Sequence, residues 1–217
     1  MSHSFVVHGV PGSPFVRSVQ LALEEKAAPY RFEALPPGAA KSPQYLARHP
    51  FGRVPAFEDG DFQLFETQAI VRYIDAVVPE PALVPKDPRR AARMNQIIGI
   101  NDWYLFPKVN AVIGFERIIG PKLLGHTTRE EACAAALPIA RVCFETLDRL
   151  LGNQSFLAGE DLSLADLMIA PQLDFLSMTP EGRSLIEGTA LDKWLARMRA
   201  RPSMKRTEPP AFLRPAA

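Results

Sequence analysis

Only two cysteines, Cys133 and Cys143, occur in the 217 residues. They form no CxxC pair and are too few for a disulfide framework, so a reducing compartment is expected. Long apolar runs are missing as well: none approaches the roughly 18 residues of a membrane-spanning helix. The opening MSHSFVVHGVPG has neither a basic leader nor the apolar core of a secretory signal. A soluble, cytoplasmic protein with no membrane partner is expected. Charge of one sign is not in excess, since 25 Lys and Arg face 24 Asp and Glu, a formal net charge of +1. No global field exists to hold nucleic acid, which leaves room only for a local basic patch. There is no GxSxG elbow, no GxGxxG loop and no GxxxxGK[ST] loop, so hydrolase, dinucleotide and triphosphatase readings lose their usual anchors. His3, His8, His49 and His126 fall outside HExxH or close Cys/His spacing, and no metal centre is expected.

What is present is a chain that is 47% hydrophobic, enough for a real core, punctuated by 21 prolines. SFVVHGV reads as a buried strand ended by PGSP. Ser13 then sits at an N-cap and Pro14 at the first helical position, where a missing N–H costs nothing. YRFEAL reads as a second strand, residues near 41 to 48 as a short helix, and VPAFEDGDFQLF as a hairpin with Pro55 at an edge or a strand start. ETQAIVRYIDAVV follows as a helix able to turn Ala69, Ile70, Tyr73, Ile74 and Val77 to a core. This alternation gives an α/β unit over residues 1–80.

PEPALVPKDPRR reads as a boundary, and beyond it only helical patterns recur, giving an all-helical unit over 88–217. Charge shifts across it from 7 basic and 9 acidic side chains in residues 1–80 to 18 and 15 in the remainder, too little to name a partner. A helix is expected over 88–119, bent or broken near Pro107 and Gly114, and another over 129–151, threatened by Pro138. Ser163 and Asp166 form a capping box. A last helix covers about 190–201, followed by a tail that leaves the fold or packs across it.

The hairpin acids Glu58, Asp59 and Asp61 are explained by solvation of a turn, and the two cysteines by burial. Ser13 is of greater interest. It either caps its helix or, at a strand-to-helix turn rich in free N–H groups, donates its hydroxyl to a bound thiolate. Glu66 and Thr67 repeat this position at the next strand-to-helix junction. They are helix-start groups, or with Lys41 and Arg53 they receive a zwitterionic ligand, Glu66 taking an ammonium and the others carboxylates.

VHGVPGSPFVRSVQLALEEK, HPFGRVPAFEDGDFQLFETQAIVRYI and FLAGEDLSLADL together resemble the cytosolic glutathione S-transferases, nearest their serine-type phi class. The resemblance covers residues 4 to 78 closely and about 85 to 200 in helical organisation. It implies a thioredoxin-like domain and a helical domain, with glutathione as co-substrate. Ser13 then matches the serine that stabilises the glutathione thiolate, and Val54 presents its backbone to the cysteinyl part. Pro55 matches a cis-proline, Glu66 and Thr67 hold the γ-glutamyl end, and Lys41 contacts the glycyl end. The resemblance further implies a small hydrophobic electrophile in a cleft between domains. Its candidate lining is Phe15, Leu35, Trp103, Phe106, Val112, Phe115 and Ile119, with Arg117 either assisting an anionic substrate or solvated. Homodimerisation is implied, with Phe51 inserting into a partner or serving the core, and Arg72 and Arg93 adding charged contacts. A glutathione-dependent peroxidase activity is a further implication. Ala40 stands where phi members often carry histidine and Arg53 where glutamine is common. These two departures leave a catalytically weak glutathione-binding protein as the alternative.

Overall fold

The computed structural model describes residues 3–36 and 38–213. Two compact units divide them. The first runs to Leu83 and is rejoined by Pro202–Pro209. Its elements are β1 (Phe5–Gly9), α1 (Pro14–Glu25), β2 (Tyr30–Ala34), a single tight turn at Ala39–Lys41, α2 (Pro43–Leu46), β3 (Ala56–Asp59), β4 (Phe62–Phe65) and α3 (Thr67–Val77). Among the described residues these strands make one sheet in the order β2-β1-β3-β4, parallel between β1 and β2 and antiparallel elsewhere. A Cβ on Gly9 would lie 2.4 Å from Val16 Cγ2, so glycine lets α1 settle directly on β1. Val7, Val16, Val19, Leu23, Phe57, Ile70 and Ile74 fill the core behind it.

On α3 the apolar stripe lies at Ile70, Val71 and Ile74, while Ala69 is exposed and Tyr73 only half-buried. Tyr73 turns aside because its hydroxyl donates to Asp59 Oδ2 at 2.9 Å. Two of the hairpin acids, Glu58 and Asp59, are accordingly engaged, while Asp61 is exposed as expected of a solvated turn. Asp59 also accepts from the Ser4 N–H and contacts His3 Nδ1, and Glu58 accepts from Arg48 Nε at 2.8 Å. Burial works against the charged form of Asp59, but these contacts outweigh it and hold its carboxyl below the ordinary carboxylate range. Lys26 closes the other end of the unit: its buried ammonium donates to Asp75 Oδ1 at 2.5 Å and to the Pro81 carbonyl at 2.6 Å.

The second unit is helical. α4 (Pro88–Ile100) continues into wider, π-type turns over Asn101–Ile119 and then α5 (Gly120–Leu124). The path expected to bend or break around Pro107 and Gly114 stays helical and widens instead. Pro107 has no N–H to enter a tight ladder. Gly114 leaves room for the Phe175 ring, whose Cε1 would be 2.5 Å from an added Cβ. α6 (Glu130–Leu151) passes through Pro138 unbroken, with that proline on an exposed face. Glu116, 1% exposed, fastens the turn before α6: it accepts from Arg129 Nη2 at 2.6 Å, Arg129 Nε at 3.0 Å and the Arg129 N–H at 2.9 Å. These bonds from Arg129 lower its pKa to about 2.

α7 (Leu164–Leu176), α8 (Pro180–Ile186) and α9 (Ala190–Ala200) complete the unit. α7 begins at the capping box read from Ser163 and Asp166. Asp166 is fully buried, and its two oxygens accept from the Leu157 N–H, the Ser163 N–H, Ser163 Oγ and Trp194 Nε1, all at 2.8–3.0 Å. Burial pushes its carboxyl up, and these four donors pull it back.

The sequence groups Pro202–Pro209 with the helical domain; in the structure they form α10 (Pro202–Arg206) and its exit, in the first unit. Ser203 Oγ donates to Glu25 and Arg206 Nε to Glu24, each at 2.5 Å, and the buried Arg17 guanidinium lies 3.8 Å from Met204 Sδ. Of the two courses open to the tail, leaving the fold or packing across it, residues 202–209 take the second and pack on α1. Residues 214–217 lie outside the described residues.

Candidate active site

Strand register assembles the site. His8 at the end of β1 pairs with Ala56 at the start of β3, and Ala56 pairs with Phe65 at the end of β4. The Gly9–Ser13 turn, Val54–Pro55 and the Glu66–Thr67 junction are therefore brought to one end of the sheet. Leu35 joins them, because its N–H donates to the Gly9 carbonyl at 2.9 Å.

Ser13 is the N-cap residue of α1, and its carbonyl accepts the first helical bond from the Arg17 N–H. Its side chain makes no capping bond and has no hydrogen-bond partner among the described residues. Of the two roles open to it in the sequence, capping is not the one it performs. Its half-buried hydroxyl stands beside the positive end of a 12-residue helix.

The Val54–Pro55 peptide is cis, and Pro55 is buried immediately before β3, at a strand start. The loop leading to it is held from below. Tyr45 Oη donates to the Arg53 carbonyl at 2.8 Å, and the Gly52 N–H donates to the His49 carbonyl at 2.8 Å. Gly52, at φ +58°, lets Lys41 pass close, since an added Cβ would be 2.9 Å from Lys41 Nζ. Lys41 and Arg53 are both exposed, and neither side chain has an ion-pair partner among the described residues.

Glu66 has φ 70° and ψ 112°, a conformation that a non-glycine residue adopts at a cost of about 1–3 kcal/mol. Its side chain caps nothing and is exposed; the neighbouring Thr67 is buried at the first position of α3. The strained backbone leaves an exposed, non-capping carboxylate at this end of the sheet, a group able to pair with an ammonium.

Sequence reasoning missed Tyr45 and His49, the floor of this loop. His49 is 2% exposed, stacks on Tyr45 with centroids 6.4 Å apart and meets Phe65 at 5.0 Å. Burial pushes its imidazole pKa down, opposed by Glu66 and reinforced by Arg53. The HPFG segment carried this signal, a histidine and an aromatic beside a turn glycine, without revealing which residue would be buried.

Of the apolar candidates, Phe15 and Leu35 are half-buried in the first unit. Those of the second unit lie along the widened helix, whose core positions are Leu105, Val109, Ile113 and Ile118. Trp103 is 74% exposed, and Phe106, Val112, Phe115 and Ile119 are half-buried. Phe115 rests on His126 and Ile119 packs against Ile118, Phe175 and Leu213. Arg117 is neither solvated nor free for a substrate, because Glu130 and Glu181 clamp it at 2.6 and 2.5 Å. Cys133 and Cys143 are free and buried on α6, where burial raises both thiols, Cys143 to about 11. No group of three or more His, Cys, Asp or Glu that could hold a metal occurs among the described residues, and none of the helices searched among them is long and apolar enough to cross a membrane.

A four-stranded mixed sheet with a cis-proline at the head of β3 and helices α1 and α3 defines a thioredoxin-like domain, here followed by an all-helical one. Residues 7–82 match the family model for the glutathione S-transferase N-terminal domain, and residues 101–202 that for its C-terminal domain. The chain belongs to the glutathione S-transferase family, and it is an enzyme of that family, whose co-substrate is glutathione. Its named plant relatives point to the phi, or F, type. It is 32% identical over 204 residues to glutathione S-transferase F7 of Arabidopsis thaliana, covering 92% of this chain and 97% of that one. Identity to a glutathione S-transferase of Hyoscyamus muticus is also 32%, over 91% and 94% of the two chains. The crystal structure of glutathione transferase F7 from Populus trichocarpa superposes with a TM-score of 0.85 at 25% identity, over 94% and 97% of the chains. Glutathione S-transferase-I bound with lactoylglutathione superposes with a TM-score of 0.83 at 29% identity, over 94% and 98%.

Proposed function

We propose that this enzyme activates the thiol of glutathione for attack on small hydrophobic electrophiles. The observation that carries the proposal is the uncommitted Ser13 hydroxyl at the β1-to-α1 turn, beside Val54–Pro55 and Glu66–Thr67. Ser13 Oγ–H donates to the thiolate, which favours the charged form and releases the thiol proton to solvent. Val54 aligns the cysteinyl backbone, Glu66 and Thr67 hold the γ-glutamyl end, and Lys41 and Arg53 take the glycyl carboxylate. The sulfur forms a bond to the electrophilic carbon while the leaving group departs with its electron pair. Phe15 and Leu35, half-buried in the first unit, supply apolar surface for the electrophile. With a hydroperoxide the same thiolate attacks the O–O bond. A sulfenic acid and an alcohol result, and a second glutathione reduces the sulfenic acid to glutathione disulfide and water.

That a glutathione S-transferase of the same fold is bound with lactoylglutathione supports glutathione as the ligand. Buried, unpaired cysteines suit a reducing cytoplasmic compartment. Calorimetric titration with glutathione should show one saturable site per chain; no saturable heat at millimolar ligand would overturn the assignment.

The working unit is a homodimer in this proposal. Phe51, 65% exposed next to the buried His49, is the aromatic that inserts into a partner. Phe51→Ala should raise the dimer dissociation constant by about 30-fold, the equivalent of ~2 kcal/mol for a hot-spot aromatic. Sedimentation of wild type and variant checks it, and an unchanged dimer rejects Phe51 as the anchor.

A further inference from the structure

A cleft of about 320 Å³ in the helical unit is lined by Arg89, Arg90, Arg93 and Arg149 together with Leu150, Gln154 and Ala158. We infer that it is a binding site for a compact, multiply charged anion carrying pyrophosphate or polycarboxylate groups. No carboxylate lines it. Among the described residues, Arg89, Arg93 and Arg149 have no acidic partner, and Arg90 has Asp161 at 3.5 Å, a carboxylate that is itself 90% exposed.

Helix electrostatics do not account for these cations. Arg89, Arg90 and Arg93 lie in the first two turns of α4, the positive end of its dipole, where basic groups are disfavoured. No acidic residue occupies that first turn, and the Asp87 side chain is spent on capping the Arg90 N–H at 2.9 Å. Arg149, in the last turn of α6, is alone in having a favourable helix end. Positive charge has therefore been gathered against the local field, which an anion in the cleft would reverse.

The cleft is also built. Gly159, at φ +143°, brings the 154–159 loop so close to Arg90 that an added Cβ would lie 3.3 Å from Arg90 Nε. A side chain there would displace the guanidinium. Gln154 donates its amide to the Leu150 and Leu151 carbonyls at 3.1 and 3.2 Å, which fixes the loop to the end of α6. All four arginines are exposed at the cleft and only Arg90 is set by the loop, but guanidinium forks match phosphate and carboxylate oxygens two at a time. The small apolar contribution of Leu150 and Ala158 leaves little for a hydrophobic body, so the anionic group is the recognised part. None of these residues belongs to the glutathione site proposed above.

The test is calorimetric titration of the intact protein with inorganic pyrophosphate and, separately, citrate at matched ionic strength. One saturable site per chain is expected, weakening as salt screens it. Whichever anion binds more tightly identifies the group recognised. The double variant Arg89→Ala, Arg149→Ala should bind at least about tenfold more weakly. The double variant Arg89→Lys, Arg149→Lys, which keeps the charge but loses the forks, should fall between. Glutathione conjugation should be unchanged in both, which also shows that they fold. No saturable binding of either anion at millimolar concentration, or equal binding by the alanine variant, would overturn the site.

Discussion

Ser13→Ala should lower the rate of glutathione conjugation by about 100-fold while leaving glutathione affinity nearly unchanged. The magnitude follows from deleting one preorganised donor to a developing or resident anion. It should not be larger, because the N–H groups at the start of α1 and the backbone of Val54 remain in place. The sign is fixed by what the hydroxyl does. In the proposed mechanism the hydroxyl donates to the thiolate and stabilises the charged form, so the bound thiol in the wild type should titrate below the ordinary thiol value of about 8.5. Without the donor that pKa rises, and the rate falls most at pH values below it. Raising the pH should therefore restore part of the loss. Steady-state kinetics across roughly pH 6 to 9 would show the inflection of kcat/KM displaced upward by one unit or more. A merely structural serine would instead alter KM or stability with no displaced inflection. Comparable turnover of variant and wild type at every pH would remove Ser13 from catalysis. The same profile separates the two readings open in the sequence, since a catalytically weak binding protein would show little rate to lose.

How far the molecule was legible depended on how local each determinant is. The EDGD hairpin and the Ser163–Asp166 cap were readable because a handful of adjacent residues dictate them: turn residues with the right backbone freedom, and a hydroxyl and carboxylate three positions apart. Ser13 was readable as a position, a cap residue before Pro14, but not as a choice between capping and an open hydroxyl. That choice is made by the geometry of the turn. The strained φ of Glu66 has no sequence mark at all, since glutamate does not favour it. Nor could the widened helix over Asn101–Ile119 be seen. Pro107 and Gly114 announced a disturbance, but not its widened form, nor that the Phe175 ring from α7 would sit against Gly114. The placement of α10 rests on partners such as Glu24 and Glu25, nearly 180 residues away in sequence. The arginine cleft was hidden for a similar reason. Arg149 lies 56 or more positions from Arg89, Arg90 and Arg93, and its charge is averaged away in any count by half.

Asp166→Ala should destabilise the protein by about 3–5 kcal/mol, the largest stability loss expected from a single polar side chain here. The carboxylate is a hub rather than a simple cap. One oxygen receives the Leu157 N–H at 2.8 Å and Trp194 Nε1 at 3.0 Å, and the other receives the Ser163 N–H at 3.0 Å and Ser163 Oγ at 2.9 Å. It thereby ties the loop before α7, the start of α7 and the fully buried Trp194 of α9 into one piece. Loss of a cap alone costs about 1 kcal/mol. Alanine additionally strands two backbone N–H groups and an indole N–H in a site where the carboxylate is fully buried, and each unsatisfied buried donor costs about 1–3 kcal/mol. The upper end of that range is tempered because Ser163 Oγ can turn to another acceptor and water can enter the space left behind. Asp166→Asn should recover less than half of the loss, since its NH2 group must face one pair of donors. Denaturant unfolding of wild type and both variants checks the ordering through their midpoints at constant slope. A midpoint shift equivalent to less than about 1 kcal/mol for Asp166→Ala would show that the four bonds are replaced by water and that the hub is not what holds the helical unit together.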